Sequence, residues 1–301
     1  MIAQQGLPNE AEVFLAIGAI QRRQGRWAES TANLEKATNL NPKDPWPLQT
    51  LAINYEMTRD FAAANRTIDR GLQVDPNSFG LWEIKAKLAI EEKGDFSVAE
   101  KGLAMLEKLP AGADKTMKLG IARSSILLLQ RKFADASREA DRIGDDQLAS
   151  YPGALCSKYS VIGVARKAAQ DDAGARAAFL KAQNFAAAEL KQAPDDASAH
   201  ARLAESLAWL GEKDGALAEI KRAAELLPES KDAFGGPEIT ESAAEVHAIM
   251  GDTAGAVEIL DGLLSRPSTV TVPVLKINPI FDSIREDSRF QALLQKHGAK
   301  A

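Results

Sequence analysis

Apolar residues recur along this chain at helical spacing, and one small residue marks each period. Ser30, Ala64, Ala99, Ala136, Ala175, Ala216 and Ala256 are separated by steps of 34, 35, 37, 39, 41 and 40 residues. Four residues after each, on the same helical face, stand Leu34, Ile68, Leu103, Ala140, Phe179, Ile220 and Leu260. A small side chain lets two helices approach closely where they cross, and a larger one a turn later fills the space beside the crossing. The pattern therefore predicts the second helix of about seven antiparallel pairs. Turn signals precede these helices at Gly25, Arg59-Asp60, Gly94-Asp95, Gly211 and Gly251-Asp252, where Gly supplies backbone freedom and Asp caps the helix that follows. Pro8, Pro42 and Pro76 stand 34 residues apart, with Ala3, Ala37 and Gly71 five residues before them. A beat of this length belongs to helix-turn-helix arrays.

Phe14-x2-Ile17-Gly18, Leu51-Ala52-x2-Tyr55 and the Ala-x3-Leu and Ala-x3-Ile pairs resemble the tetratricopeptide repeat. The resemblance implies an all-α, right-handed superhelical solenoid of about seven repeats with a short C-terminal cap. Its expected organisation is residues 1–10 as the end of a truncated preceding repeat, 11–267 as the solenoid and 268–301 as the capping segment. Ala173 to Gln192 reads as an unusually long second helix, and Gly144 to Gly153 as a bend. Ser268 to Leu275 alternates Val with Ser, Thr and Pro and reads as a break in the helical pattern. A last helix is predicted from about Ser288 to Lys296, with Phe281, Ile284, Phe290, Leu293 and Leu294 as anchors. The two ends, LPNEAEVFLAIGAIQRRQGRW and LLSRPSTVTVPVLKINPIFDSIREDSRFQALL, are similar to the C-terminal repeat arms of bacterial multidomain signalling proteins. In those proteins the arm follows a serine/threonine kinase, a nucleotide cyclase or a TolB-like, winged-helix regulator. That resemblance implies a sensor or docking arm whose effector lies outside this chain.

Composition narrows the function. The chain is 45% hydrophobic but only 6% aromatic, which suits close packing through Ala and Leu. A net charge of −5 argues against a phosphate-driven grip on nucleic acid. No run approaches the roughly 20 apolar residues that span a bilayer. The opening stretch has neither a basic leader nor an apolar signal core, and the lone Cys156 forms no internal disulfide. The cytoplasm is the expected setting, or an extracytoplasmic one if a parent chain is membrane-tethered.

Catalytic chemistry finds no foothold. His200, His247 and His297 lie far apart without a metal-ligand spacing. The pairs Asp145-Asp146, Asp171-Asp172 and Asp195-Asp196 read as helix caps. Gly235-Gly236-Pro237 is a turn rather than a phosphate cradle. No enzyme activity, cofactor or metal is expected.

The expected business is protein binding. In a tetratricopeptide solenoid the first helices line the concave face, and register places there Leu15, Ala19, Arg22 and Arg23, then Trp46, Gln49, Ile53 and Met57, then Glu83 and Lys87. Ile121, Ser125, Leu128 and Leu129 follow, then Ser160, Val164 and Lys167, then Ala201, Glu205 and Trp209, and lastly Glu238, Glu241 and Glu245. Trp46, Met57, Leu128 and Trp209 would anchor apolar side chains of a partner peptide or helix. The competing reading makes the tryptophans interhelix packing residues and the charges a solvated face. The places where a carboxylate-clamp repeat would carry Lys and Asn hold Leu15, Ala19 and Thr50, so a clamp on a peptide's terminal acid is not expected.

Overall fold

The computed structural model describes residues 10–108, 113–146, 148 and 152–298, with the side chains of 113–116 and 152 left aside. Among these residues there are sixteen α-helices, one 3-10 turn and no strand. The helices form seven successive pairs. They are α1 (Ala11–Arg23) with α2 (Trp27–Leu40), α3 (Pro45–Met57) with α4 (Phe61–Val74), and α5 (Phe79–Lys93) with α6 (Phe96–Lys108). Next come α7 (Ala113–Leu129) with α8 (Phe133–Asp141), α9 (Pro152–Ala168) with α10 (Asp172–Gln192), α11 (Ala197–Leu210) with α12 (Lys213–Leu226), and α13 (Gly236–Ile249) with α14 (Thr253–Leu264). The expected long second helix is α10, of 21 residues. The predicted bend overlaps residues outside the described set, and the predicted end of a preceding repeat lies almost wholly outside it.

All seven small crossing residues are at most 2% exposed, and the seven residues that follow them on the same face are all buried. The first helices carry a matching small position, which the repeat motifs marked at Gly18 and Ala52. It continues through Ala86, Ser124, Gly163, Ala204 and Ala244. A Cβ at Gly18 would lie 2.7 Å from Leu34 Cγ and 3.1 Å from the Ser30 carbonyl oxygen. Close helix contact thus uses one small residue from each member of a pair, and the buried Ser30 hydroxyl donates to the Gly18 carbonyl (2.7 Å).

Each pair also turns through one left-handed residue. Gly25, Arg59, Gly94, Arg131, Gln170, Gly211 and Gly251 have φ between 57° and 84°, each five residues before its small crossing residue. In most turns the following N–H reaches back five residues, as Asp60 to the Tyr55 carbonyl and Glu212 to the Leu207 carbonyl, both 2.9 Å; this is the Schellman stop. Side chains in this conformation cost roughly 1–2 kcal/mol, so Arg59, Arg131 and Gln170 are held there against a local preference for Gly. The second helices then start on caps where Asp is present: Asp60, Asp171 and Asp252 accept from the N–H of Ala63, Gly174 and Gly255. Asp196 caps α11 in the same way. Asp145 does not follow the expected capping role; its carboxylate takes the Lys158 ammonium (2.7 Å) and the Tyr159 hydroxyl (2.6 Å).

The chain divides into two compact units. The first holds residues 1–109 together with 228–238 and 266–269, and the second holds 110–227, 239–265 and 270–301. In the first, Ala52, Ala64, Ile68, Leu81, Ile84 and Leu88 form a continuous core across α3, α4 and α5. In the second, the tail is helical sooner than its alternating pattern predicts. α15 (Val272–Ile277) starts on Val272-Pro273 and is followed by the 3-10 turn Pro279–Ser283 and α16 (Ser288–Gly298). The reason is burial: Val270, Val272 and Leu275 all pack into the last pair's core, and a proline at the start of a helix supplies a preset φ without losing a hydrogen bond. All five predicted anchors are buried, and the rings of Phe281 and Phe290 stack at 5.9 Å. The tail therefore covers the apolar face that a terminal repeat leaves open.

Candidate binding site

In the second unit, α7, α9 and α11 line a half-open cavity of about 190 Å³. Its walls are Leu128 of α7, Cys156, Ser157, Ser160, Val161 and Val164 of α9, and Arg202 and Glu205 of α11, with Ile280 of the 3-10 turn beside them. Leu128, Ser160, Val164 and Glu205 come from the predicted lining; the others do not. Successive turns of one helix face bring 156, 157, 160, 161 and 164 together, and the repeat brings the equivalent face of α11 alongside. Ile280 is placed by a different route. Arg131, the left-handed residue of the α7–α8 turn, grips Asp282 through two nitrogens at 3.1 and 2.6 Å, which fixes the 3-10 turn.

The chemistry of the cavity centres on Glu205. Its carboxylate accepts from the Ser160 hydroxyl (2.9 Å), and burial pushes its pKa up against the opposing pull of Ser160 and the Trp209 indole. Arg202 is committed to Glu189 of α10 at 2.6 Å. Burial pushes the Cys156 thiol up to about 11, so it is a neutral donor, directed at the Ala182 carbonyl. A thiol this far from ionising is no nucleophile. Trp209 lies flat on Phe179, with centroids 5.0 Å apart and planes 2° apart, so its ring is an interhelix packing element as well as a neighbour of Glu205. Lys167 pairs locally with Asp172, and Glu241 and Glu245 stand half-buried on α13.

The first unit uses several predicted lining residues for its own chain. The Arg22 guanidinium is buried over the Phe234 ring, 4.0 Å from its centroid, and burial with Arg23 beside it draws it down to about 10. Arg23 is ion-paired with Asp232, and its carbonyl accepts the Ala233 N–H at 2.8 Å. Although burial opposes it, the N–H groups of Gly235 and Phe234, with Arg23, hold Asp232 below the usual carboxylate range. Met57 is buried, and its carbonyl accepts the Ser268 N–H at 2.9 Å. Arg59 donates to the Arg266 carbonyl (3.0 Å) and the Ser268 hydroxyl (2.6 Å). Segments 228–238 and 266–269 are thus bound at the ends of α1 and α3 by Arg22, Arg23 and Arg59.

Lys87 sits between two buried carboxylates, 2.9 Å from Glu56 and 3.3 Å from Glu91. Burial pushes Glu91 up to about 8; Lys87 pulls the other way, and Glu56 adds to the rise. Leu15, Gln49 and Ile53 are half-buried, whereas Trp46 is 59% exposed. Of the two predicted tryptophan anchors, only Trp46 presents its ring to solvent. Sequence reasoning passed over Arg131, Arg202 and Ile280 and read Arg59 only as part of a turn. For Arg59 and Arg131 the available signal was an arginine at a turn position where four of the seven repeats carry glycine.

The three histidines stay apart: His200 meets Glu219, His247 meets Asp252 and His297 meets Asp261. No cluster of ligands able to hold a metal ion occurs among the described residues, and no helix among them is long and apolar enough to cross a membrane.

Seven helix pairs at intervals of 34 to 41 residues, each with one left-handed turn residue and one small residue at the crossing, form an all-helical repeat array that resembles tetratricopeptide repeats. No protein-family model and no curated protein matches the sequence. Solved structures with similarity include PilW, a type IV pilus biogenesis factor, at 14% identity over 94% of this chain and 98% of that one, with a TM-score of 0.37. A tetratricopeptide repeat protein from Parabacteroides merdae is 12% identical over 90% of this chain and 98% of that one (TM-score 0.46). Human IFIT1, in a dimer with PPP-AAAA, is 13% identical over 91% and 68% (TM-score 0.49).

Proposed function

We propose that the chain is a non-catalytic interaction module that binds an extended or helical segment of another protein along its first helices. The observation that carries this reading is the cavity on α7, α9 and α11, where Leu128, Ser160, Val164 and Glu205 meet. The exposed Trp46 supports it, since large exposed aromatics favour interface anchoring. The proposed setting is the cytoplasm, in keeping with the single, unpaired buried thiol. A second reading makes the same surface the sensing face of a signalling protein's repeat arm, supported by the resemblance of the two ends.

Site-specific photo-crosslinking in cells tests the proposal. A photoreactive residue at position 46, 53 or 125 should capture a discrete protein partner, and one at the exposed Lys101 or Lys221 of second helices should not. Equal capture from both sets would overturn the assignment of the binding face. The Trp46→Ala variant should lose the partner at unchanged thermal stability.

A further inference from the structure

The cavity holds one carboxyl group, Glu205, that has no cationic partner among the described residues. Each hydroxyl, thiol and guanidinium around it already has work within the fold: Ser157 donates to the Gly153 carbonyl (3.0 Å), Ser160 to Glu205, Cys156 to Ala182 and Arg202 to Glu189. Arg202 reaches Glu189 through one terminal nitrogen only; its Nε is buried without a hydrogen-bond partner. Among the described residues no lysine or arginine nitrogen pairs with Glu205. A carboxylate held in a half-enclosed, mainly apolar cavity calls for a cation, because burying an unpaired charge is costly and pairing it recovers much of that cost.

Shape narrows the cation. At about 190 Å³ the space falls below the roughly 300 Å³ of pockets that enclose whole small molecules and suits one side chain. Its flanks are Leu128, Val161, Val164 and Ile280, which match an aliphatic stem, and the acid stands on α11 between them. A stem of methylenes carrying a terminal ammonium is what such a site accommodates. We propose that this cavity receives a lysine side chain of the partner segment, its stem against Leu128, Val161, Val164 and Ile280 and its ammonium on Glu205 and Ser160. This rests on the partner-binding reading above and names the residue type that reading requires at one point of the groove.

The test uses the intact protein and n-butylammonium, which reproduces the lysine stem and charge without a peptide. The indole N–H resonance of Trp209, which neighbours Glu205, serves as the probe. Titration should give a saturable shift in the millimolar range, and uncharged 1-butanol should bind at least tenfold more weakly. Glu205→Gln keeps the volume and the Ser160 contact but should lower amine affinity tenfold or more; the comparison of amine with alcohol needs no variant at all. Equal binding of the two compounds, tighter binding of n-butyrate, or no saturable shift would overturn the proposal. Glycinamide, which offers an α-ammonium beside a backbone amide, should bind more weakly than n-butylammonium, and the reverse order would replace the lysine side chain with a chain terminus. Failure here with successful crosslinking at position 46 would refute the lysine pocket alone, whereas loss of face-selective crosslinking would refute the binding face.

Discussion

Gly163 gives the sharpest test of how the helix pairs are held. It lies inside α9, and a Cβ built there would stand 2.6 Å from Phe179 Cζ and 2.7 Å from Cδ1. Phe179 cannot swing aside, because its ring is fully buried and stacked flat on Trp209. Gly163→Ala should therefore overpack the α9–α10 crossing, at a cost of about 1–3 kcal/mol. Replacing a mid-helix glycine by alanine returns about 1 kcal/mol of helix propensity, which leaves a net loss of up to about 2 kcal/mol. Gly215 of α12 supplies the control, since its Cβ would meet Leu207 Cδ1 at an ordinary 3.4 Å. Gly215→Ala gains the propensity without the clash and should stabilise by about 0.5–1 kcal/mol. Urea denaturation followed by circular dichroism reads both, with each variant compared with wild type in the same buffer. A Gly163→Ala protein as stable as Gly215→Ala would refute the claim that the first helix needs a residue without a side chain at this crossing.

Two further outcomes follow from buried and paired charge. Glu91 has its pKa pushed up to about 8, above the unfolded carboxylate value, so the folded state holds a proton that the unfolded state has lost. Its contribution is complete below the unfolded pKa and is lost as pH rises through about 8. Unfolding free energy should fall with a slope of up to about 1.4 kcal/mol per pH unit over that window, and Glu91→Gln should flatten it. A profile equally steep in Glu91→Gln would place the titrating group elsewhere. The Arg131–Asp282 pair is two-pronged but 47% and 36% exposed, so a double-mutant cycle with Arg131→Gly and Asp282→Ala should show a coupling of only about 0.5–1 kcal/mol that weakens with salt. Arg131→Gly should regain part of its loss through relief of the left-handed turn; a coupling near zero would mean that the 3-10 turn is held without this contact.

What the amino-acid order decided by itself was whatever depends on near neighbours in the chain. The crossing residues from Ser30 to Ala256, the faces that follow them and the turn glycines recur because two helices joined by a short turn meet at a nearly constant separation, so their steric demand repeats as a period. The tail anchors from Phe281 to Leu294 were legible for the same reason. Tertiary structure decided the rest, because it joins residues whose separation carries no periodic signature. Arg23 meets Asp232 across 209 positions and Arg131 meets Asp282 across 151, and neither pairing repeats elsewhere in the array. The periodicity assigned Arg22, Arg23, Met57 and Trp209 to a common lining; in the folded chain Arg22, Arg23 and Met57 are engaged by segments 228–238 and 266–269, and Trp209 by Phe179. Solvent exposure of a first-helix residue is set by what later segments lay upon it. For that reason Trp46 remains open to solvent, and Glu205 shares a cavity with Ser160 of α9 and Ile280 of the tail, which no periodicity brings together.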